Sequence, residues 1–154
     1  MAVSKFVVVD RAGRLVEAWT QWDRLFEGGG SPHKIRISPY DPAKSVWVVN
    51  DGKHQIYKFS NDGKQLLLTI GEAGVAGDDA THFGSPQDIG FLPDGSILVA
   101  DGLRNSRIAK FDKDGRFLAL KQTIYSNCGG NCVSYVPPVN SSGIATTVYK
   151  TPAL

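Results

Sequence analysis

The chain has 154 residues, of which 42% are hydrophobic, 10% aromatic and 21% charged, an ordinary composition for one globular domain with its own core. Lysine and arginine total 17 against 15 acidic residues, so the formal net charge of +2 offers neither a nucleic-acid-binding surface nor a basic membrane patch. No apolar run approaches the roughly 20 residues of a membrane-spanning helix, and residues 1–10 lack the pattern of a signal peptide. We therefore expect no nucleic-acid partner and no membrane partner.

The N-terminal segment begins with a short apolar run and a glycine turn, Phe6 to Leu15, which resembles the later stretch Tyr57 to Leu66. This similarity predicts a partial copy of a repeat unit. Three aromatic residues follow, at Trp19, Trp22 and Phe26. They form either a ligand surface or packing between units, and packing is the favoured interpretation.

Two longer segments then repeat one frame: a hydrophobic run, Asp-Gly, an Ile-x-Lys-Phe strand, and a second glycine turn. The copies carry Asp51-Gly52 and Asp101-Gly102 at the same place in this frame. Frequent glycine turns favour short strands joined by tight hairpins. The predicted strands are 34–38, 46–50, 55–60 and 65–70 in the first copy, and 88–92, 96–100, 107–112 and 116–120 in the second.

A unit of four strands in about 40 to 50 residues is typical of one blade of a β-propeller. We therefore predict an all-β fold, a partial propeller of about two to three blades. Its parts are a partial blade at 1–30, blades at 31–75 and 84–120, and a poorly ordered, non-propeller tail at 121–154. Because repeat units bury their cores against neighbours, the uncovered blade faces predict self-association. Cys128 and Cys132 lie in the predicted tail, and whether they pair is left open.

These blades resemble the NHL-type repeats of six-bladed β-propellers and, more narrowly, the peptidyl-α-hydroxyglycine α-amidating lyase family. The segments that carry the resemblance are Pro32–Ile37, Asp51–Phe59, Ile70–Gly74, His82–Ile89 and Asp101–Ile108. The resemblance implies a zinc ion that three histidines hold on the propeller axis, each from a Pro-His pair in a different blade. It also implies cleavage of a peptidyl-hydroxyglycine to a peptide amide and glyoxylate, with an arginine and a tyrosine near the metal.

His33, in Pro32-His33, is the residue that the resemblance assigns as a zinc ligand. The family's tyrosine falls at Leu103, which has no hydroxyl group, and Arg11 is a loose match for the arginine. His54, which we expect to open the third strand and face solvent, is a weaker candidate for a ligand.

Two further features of the sequence could involve a ligand. His82 is expected to hydrogen-bond its connection to the next blade. Asp78-Asp79 lacks the alternating oxygen ligands of a calcium loop and predicts a solvated turn, so no calcium site is assigned.

Two functions follow from this interpretation. The first is an incomplete NHL propeller segment, non-catalytic by itself, that serves as a scaffold for binding a peptide or a small molecule. The second is a zinc-dependent amidating lyase that is active when further blades complete the propeller. A sugar-lactone hydrolase propeller would need an acidic metal cage, which Asp88 alone does not make. Because relatives in the lyase family are often exported, localisation is left open.

Overall fold

The computed structural model describes residues 4–122 and contains three antiparallel sheets. The first is a two-stranded sheet of β1 (Val7–Val9) and β2 (Leu15–Ala18). A 3₁₀ helix, Thr20–Phe26, follows it. In the part of the chain that the structure describes, no helix has the length and apolar character needed to span a bilayer.

The other two sheets each contain four strands in chain order. The first consists of β3 (Lys34–Ile37), β4 (Val46–Asn50), β5 (Gln55–Phe59) and β6 (Leu66–Ile70). The second consists of β7 (Asp88–Phe91), β8 (Ile97–Asp101), β9 (Arg107–Phe111) and β10 (Phe117–Gln122). Each sheet is a four-stranded antiparallel meander, which is the architecture of a propeller blade. The predicted all-β, partial propeller fold is confirmed.

Strand β10 ends at Gln122, so it extends past residue 120, where the sequence predicted the last strand to end. The remainder of the predicted tail, with Cys128 and Cys132, lies outside the described residues.

In each of the three sheets, the hairpin that joins the last two strands in chain order has the same irregularity. Each contains a β-bulge one residue into its last strand, and the bulged side chains are exposed: Val16, Leu67 and Leu118. A glycine with positive φ closes each turn: Gly13 at 77°, Gly63 at 68° and Gly115 at 81°. The pair β1–β2 therefore corresponds to β5–β6 and to β9–β10, the outer half of a blade.

Two buried apolar clusters lie between the sheets. The first joins the two complete sheets through Trp47, Val49, Ile56, Ile70, Phe83, Ile89, Ile97, Val99, Ala109 and Phe111. The second joins the sheet β1–β2 and the helix to the first complete sheet through Phe6, Trp19, Phe26, Val46, Val48, Tyr57 and Phe59. Strands β4 and β5 contribute alternate side chains to both clusters. This explains why the apolar strand β4 is buried on both of its faces.

The aromatic residues of the N-terminal segment pack in the second cluster, as the favoured interpretation held. The ring centroids of Phe26 and Tyr57 are 5.6 Å apart, and those of Trp22 and Phe59 are 5.3 Å apart. Trp19 covers the turn at Gly63, where an added Cβ would lie 2.0 Å from its Cε2. The turn at Gly115 packs in the same way on Leu68 of β6, at 3.0 Å from Cδ1. The hairpin turns of the two complete blades therefore each contact the last strand of the preceding sheet or the residue that directly follows it.

Candidate functional site

His33 lies immediately before β3, beside the end of β4. Its backbone N–H donates to the carbonyl of Val49 at 2.8 Å, which fixes the position of the residue. Its Nδ1 lies 3.6 Å from Oδ2 of Asp51, close enough for an ion pair when the imidazole is protonated. Both side chains are partly exposed, so His33 is accessible at this edge of the blade.

The corresponding residue of the second complete blade is Gln87. Its N–H donates to the carbonyl of Ala100 at 2.8 Å, as that of His33 does to Val49. The Gln87 side chain is buried and donates to Oγ of Ser85 at 3.1 Å. The two blades therefore present one histidine at this position. Across residues 4–122, no three His, Cys, Asp or Glu side chains are grouped to hold a metal ion.

Strand β3 also carries a charged group that the sequence analysis did not single out. Nε of Arg36 donates to Oδ1 of Asp88 at 3.0 Å, and Nη2 donates to Oδ2 at 2.7 Å. Lys34 Nζ lies 4.0 Å from the same carboxylate. Asp88 is buried, with 4% of its side chain exposed, whereas 46% of the Arg36 side chain is exposed. The hydrogen-bonded carboxylate raises the pKa of Arg36.

The signal for this group was present in the sequence. Alternate residues of a strand lie on one face, so the spacing of Lys34 and Arg36 places both cations on the same face of β3. Their partner Asp88 lies in the next blade, and that contact could be found only after the blades had been packed together.

Leu103 lies in the exposed turn between β8 and β9, and 52% of the residue's surface is exposed. The turn is anchored by the buried carboxylate of Asp101, which accepts hydrogen bonds from Gly84 N, Ser85 N, Asn105 Nδ2 and Arg107 Nε. The site is therefore rigidly supported, but at its accessible position it presents an aliphatic side chain.

Arg11 lies in the exposed turn between β1 and β2. The neighbouring carboxylate of Asp10 stabilises this turn, because its Oδ1 accepts hydrogen bonds from the backbone N–H groups of Ala12 and Arg14. Among the described residues, no hydrogen bond or ion pair involves the Arg11 side chain. The structure places Arg11 and His33 on different sheets and shows no contact between them.

The expectation that His54 faces solvent is wrong. The residue is buried, with 9% of its surface exposed, and it has a positive φ of 60°. Its N–H donates to the carbonyl of Asp51, and this tight turn directs the ring inward rather than outward. Within the described part of the chain, its Nδ1 has no hydrogen-bond partner.

His82 forms a local ionic group in the connection between the two complete blades. Its Nδ1 lies 2.8 Å from Oδ2 of Asp79, and its Nε2 lies 3.4 Å from Oε2 of Glu72. These carboxylates raise the pKa of His82, and hydrogen bonds from Thr81 and His82 hold the pKa of Asp79 well below its ordinary value. Asp79 thus closes a turn, as expected. The link from His82 to the blade is its backbone carbonyl, which accepts from Arg107.

Comparison with known proteins supports this architecture. A sequence profile of the NHL repeat matches residues 83–111, which include β7, β8 and β9. A protein of Caenorhabditis elegans named as a probable peptidyl-alpha-hydroxyglycine alpha-amidating lyase is 39% identical over 88 residues, which cover 57% of this chain and 24% of that protein.

Two other relatives match a similar length of the chain. Peptidyl-alpha-hydroxyglycine alpha-amidating lyase 2 of Drosophila melanogaster is 34% identical over 87 residues, covering 56% of this chain and 21% of the relative. Peptidyl-glycine alpha-amidating monooxygenase B of Xenopus laevis is 36% identical over 88 residues, covering 56% of this chain and 10% of the relative. The chain thus spans a quarter or less of the length of these relatives. The chain has the fold of a partial β-propeller, its residues 83–111 match the NHL repeat, and over more than half of its length it is similar to amidating lyases and monooxygenases.

Proposed function

We propose that the described blades act as a binding scaffold in which strand β3 supplies a positively charged site for an anionic group, such as the carboxylate of a peptide or a small acid. The observation that carries the proposal is the exposed guanidinium of Arg36, which two hydrogen bonds to the buried carboxylate of Asp88 hold in place. A cation whose orientation is already fixed loses little conformational freedom when it binds a ligand.

The local charge favours an anion over a cation. Lys34 and Arg36 carry two positive charges, and the buried Asp88 compensates one of them. The Asp88 carboxylate occupies Nε and Nη2 of Arg36, and within the described residues Nη1 has no hydrogen-bond partner. Nη1 and the ammonium group of Lys34 can donate hydrogen bonds to a carboxylate, and such charge-assisted bonds are stronger than neutral ones.

A matched pair of small ligands tests this proposal: an N-acetylated dipeptide with a free C-terminal carboxylate and the same dipeptide as its amide. We expect the acid to bind with a Kd of about 1 mM and the amide to bind at least about tenfold more weakly. Chemical-shift changes in NMR spectra of the chain measure both affinities. Equal affinity for the acid and the amide would contradict the proposal.

Variants locate the binding on β3. Lys34→Gln removes one cation and should weaken binding of the acid, whereas Arg14→Gln, in the turn of β1–β2, should not change it. Arg36→Lys keeps the charge next to Asp88 but removes the planar donor group, so we expect an intermediate loss. If Lys34→Gln and Arg36→Lys both bind the acid like the parent chain, the site lies elsewhere.

A second candidate function is a zinc-dependent amidating lyase formed when further blades complete a propeller. His33 favours it, because a histidine that binds a metal commonly has a carboxylate near its other ring nitrogen, as Asp51 is near Nδ1 of His33. The described residues by themselves do not fit a catalytic zinc ion, which usually needs three protein ligands. Leu103 also has no hydroxyl group with which to hold or donate a proton.

Elemental analysis of the purified chain tests whether His33 binds zinc. Stoichiometric zinc that is lost in His33→Ala would support the lyase function and identify His33 as a ligand. Zinc that is equally retained in His33→Ala would exclude His33 as a ligand. For the control, His82→Ala removes a histidine that its acidic neighbours already engage.

A further inference from the structure

We propose that the sheet β1–β2 is half of a blade, and that its free edge, together with Ile35 and Ile37 of β3, binds a β-hairpin with the residue pattern of an inner blade half. This surface is called the half-blade site below. It is defined by the β1 edge (Val7–Val9) and by the side chains of Ile35 and Ile37.

The internal repeat identifies what belongs at the β1 edge. Strand β1 corresponds to β5 and β9, because all three precede the same glycine turn and the same bulge. In the complete blades, β5 pairs with β4 and β9 pairs with β8 on the side away from that hairpin. Among the described residues, β1 pairs only with β2. Its other edge therefore presents backbone donors and acceptors to an antiparallel strand.

The apolar side chains next to that edge are also left uncovered. Ile35 and Ile37 are 51% and 50% exposed. Ile35 pairs with Val48 and Ile89 pairs with Val99, so Ile35 and Ile89 occupy the same position in their blades, as do Ile37 and Phe91. Ile89 is nevertheless only 3% exposed.

Ile89 is less exposed than Ile35 because strand β4 of the preceding blade packs against the second complete blade. Trp47 of β4 covers the second complete blade, with its ring centroid 5.9 Å from that of Phe91. In the second apolar cluster, the described residues provide counterparts of Ile56, Ile70 and Phe83, namely Phe6, Trp19 and Phe26. They provide no counterpart of Trp47 or Val49. Among the described residues, the second apolar cluster thus lacks the side chains that an inner strand would add.

These positions specify the partner. Trp47 pairs with Lys58 of β5, and the corresponding residue of β1 is Val8. The bound hairpin therefore places a large apolar side chain opposite Val8, where it covers Ile37. A second apolar residue opposite Phe6 covers Ile35, as Val49 opposite Ile56 faces Ile89. The partner is an inner-blade hairpin of an NHL repeat, bound by strand addition and apolar contact.

A peptide of residues 33–50 of this chain is a suitable probe, because it contains the β3–β4 hairpin. Its ends are adjacent in the structure, where Lys34 pairs with Val49, so backbone cyclisation preorganises it. Peptide binding to the full chain is measured by fluorescence anisotropy, and protection of the Val7 and Val9 amides is measured by hydrogen exchange. We expect saturable binding with slower exchange at β1.

Matched variants test the position. The cyclic peptide with Trp47→Asp should bind about tenfold more weakly or worse, because the anchoring aromatic ring is lost. The full chain with Ile37→Lys should lose affinity to a similar extent. Leu118→Lys, at an exposed apolar residue of another hairpin, should bind the parent peptide unchanged.

Three results would overturn the proposal. The parent peptide could fail to bind a chain whose NMR spectrum shows it folded. The Trp47→Asp peptide could bind as tightly as the parent. Light scattering could show a dimer whose mass the peptide does not change and that Ile37→Lys dissociates, in which case a second copy of the chain occupies the surface.

Discussion

Asp101 shows how one buried residue organises a whole connection. Its carboxylate has no exposed surface and accepts hydrogen bonds from two backbone N–H groups, an amide and the guanidinium of Arg107. Arg107 in turn donates to the carbonyls of Asp78, Asp79 and His82. The charge pair thus fastens the loop before β7 to the end of β8.

Asp101→Ala should therefore be strongly destabilising. It leaves the buried Arg107 without its counter-charge, a change that typically costs about 3–5 kcal/mol. Asp114→Ala, at an exposed carboxylate paired with Lys113, should leave the free energy of unfolding nearly unchanged. Urea denaturation of both variants measures the difference, and a similar loss in the two would show that the network contributes little.

The ionic group around His82 should make stability depend on pH. The folded state raises the pKa of His82 above its ordinary 6.5, so this contribution is complete below that pH and is lost as the pH rises through the folded pKa. The folded state lowers the pKa of Asp79 below 3.8, so its contribution is complete above that pH and is lost as the pH falls. Both contributions are present between these two pH values.

NMR titration of the His82 ring checks the first shift. We expect an apparent pKa above 6.5 in the parent chain and a lower value in Asp79→Asn, which removes the larger of the two carboxylate effects. Asp114→Asn, whose side chain has no contact with His82, should leave the titration unchanged. An equal pKa in the parent and in Asp79→Asn would mean that the contact does not persist in solution.

The roles of only some individual residues could be predicted from the sequence. The Asp-Gly motifs aligned Asp51 with Asp101, but the strand pairing aligns Asn50 with Asp101, because Asn50 pairs with Gln55 as Asp101 pairs with Arg107. The two turns differ in length by one residue, and the shared dipeptide concealed this. His54 was likewise misjudged, because its positive φ follows from the turn and not from the strand pattern.

The hairpin is the element that the chain repeats most faithfully, and its glycines have different surroundings. Gly13 and Gly63 both have positive φ. An added Cβ would meet nothing within 4 Å at Gly13, but it would overlap the indole ring of Trp19 at Gly63. The same substitution at the two positions therefore separates backbone strain from steric conflict.

Gly13→Ala should cost about 1–2 kcal/mol, the strain of a left-handed backbone for an L-residue with a side chain. Gly63→Ala should cost about 1–3 kcal/mol more, because Trp19 must move out of its packed position. The tryptophan fluorescence spectrum should shift only in Gly63→Ala. Equal destabilisation by the two substitutions would show that Trp19 does not pack on the turn in solution.

The strands themselves were largely predictable. Hydrophobic alternation and Asp-Gly turns located all eight strands of the complete blades, because both signals arise from local backbone geometry. The helix Thr20–Phe26 was not predicted, since its residues were interpreted only as an aromatic group. The contact between Arg36 and Asp88 was also missed, because it depends on how two blades face each other.

On the scale of the molecule, the two apolar clusters join the sheets into one structure. Phe83, in the connection before β7, is fully buried in the first cluster and lies 5.5 Å from the ring of Phe111. It belongs to neither complete sheet, yet it packs between both. Its role is to seal the interface where one blade passes to the next.

Phe83→Ala should reduce the free energy of unfolding by about 3–5 kcal/mol, as expected when a large buried side chain leaves a cavity. Leu67→Ala, at an exposed bulge, removes apolar volume without opening a cavity and should have little effect. Thermal unfolding followed by circular dichroism compares the two. A small effect of Phe83→Ala would indicate that the blades separate without loss of stability.

In both complete blades, the hairpin turn contacts a segment that precedes the blade in the chain. The turn at Gly115 packs against Leu68, and the turn at Gly63 packs against Trp19. In both cases the contacting side chain precedes the blade along the chain. During synthesis, the surface on which each of these turns packs is therefore made before the turn itself.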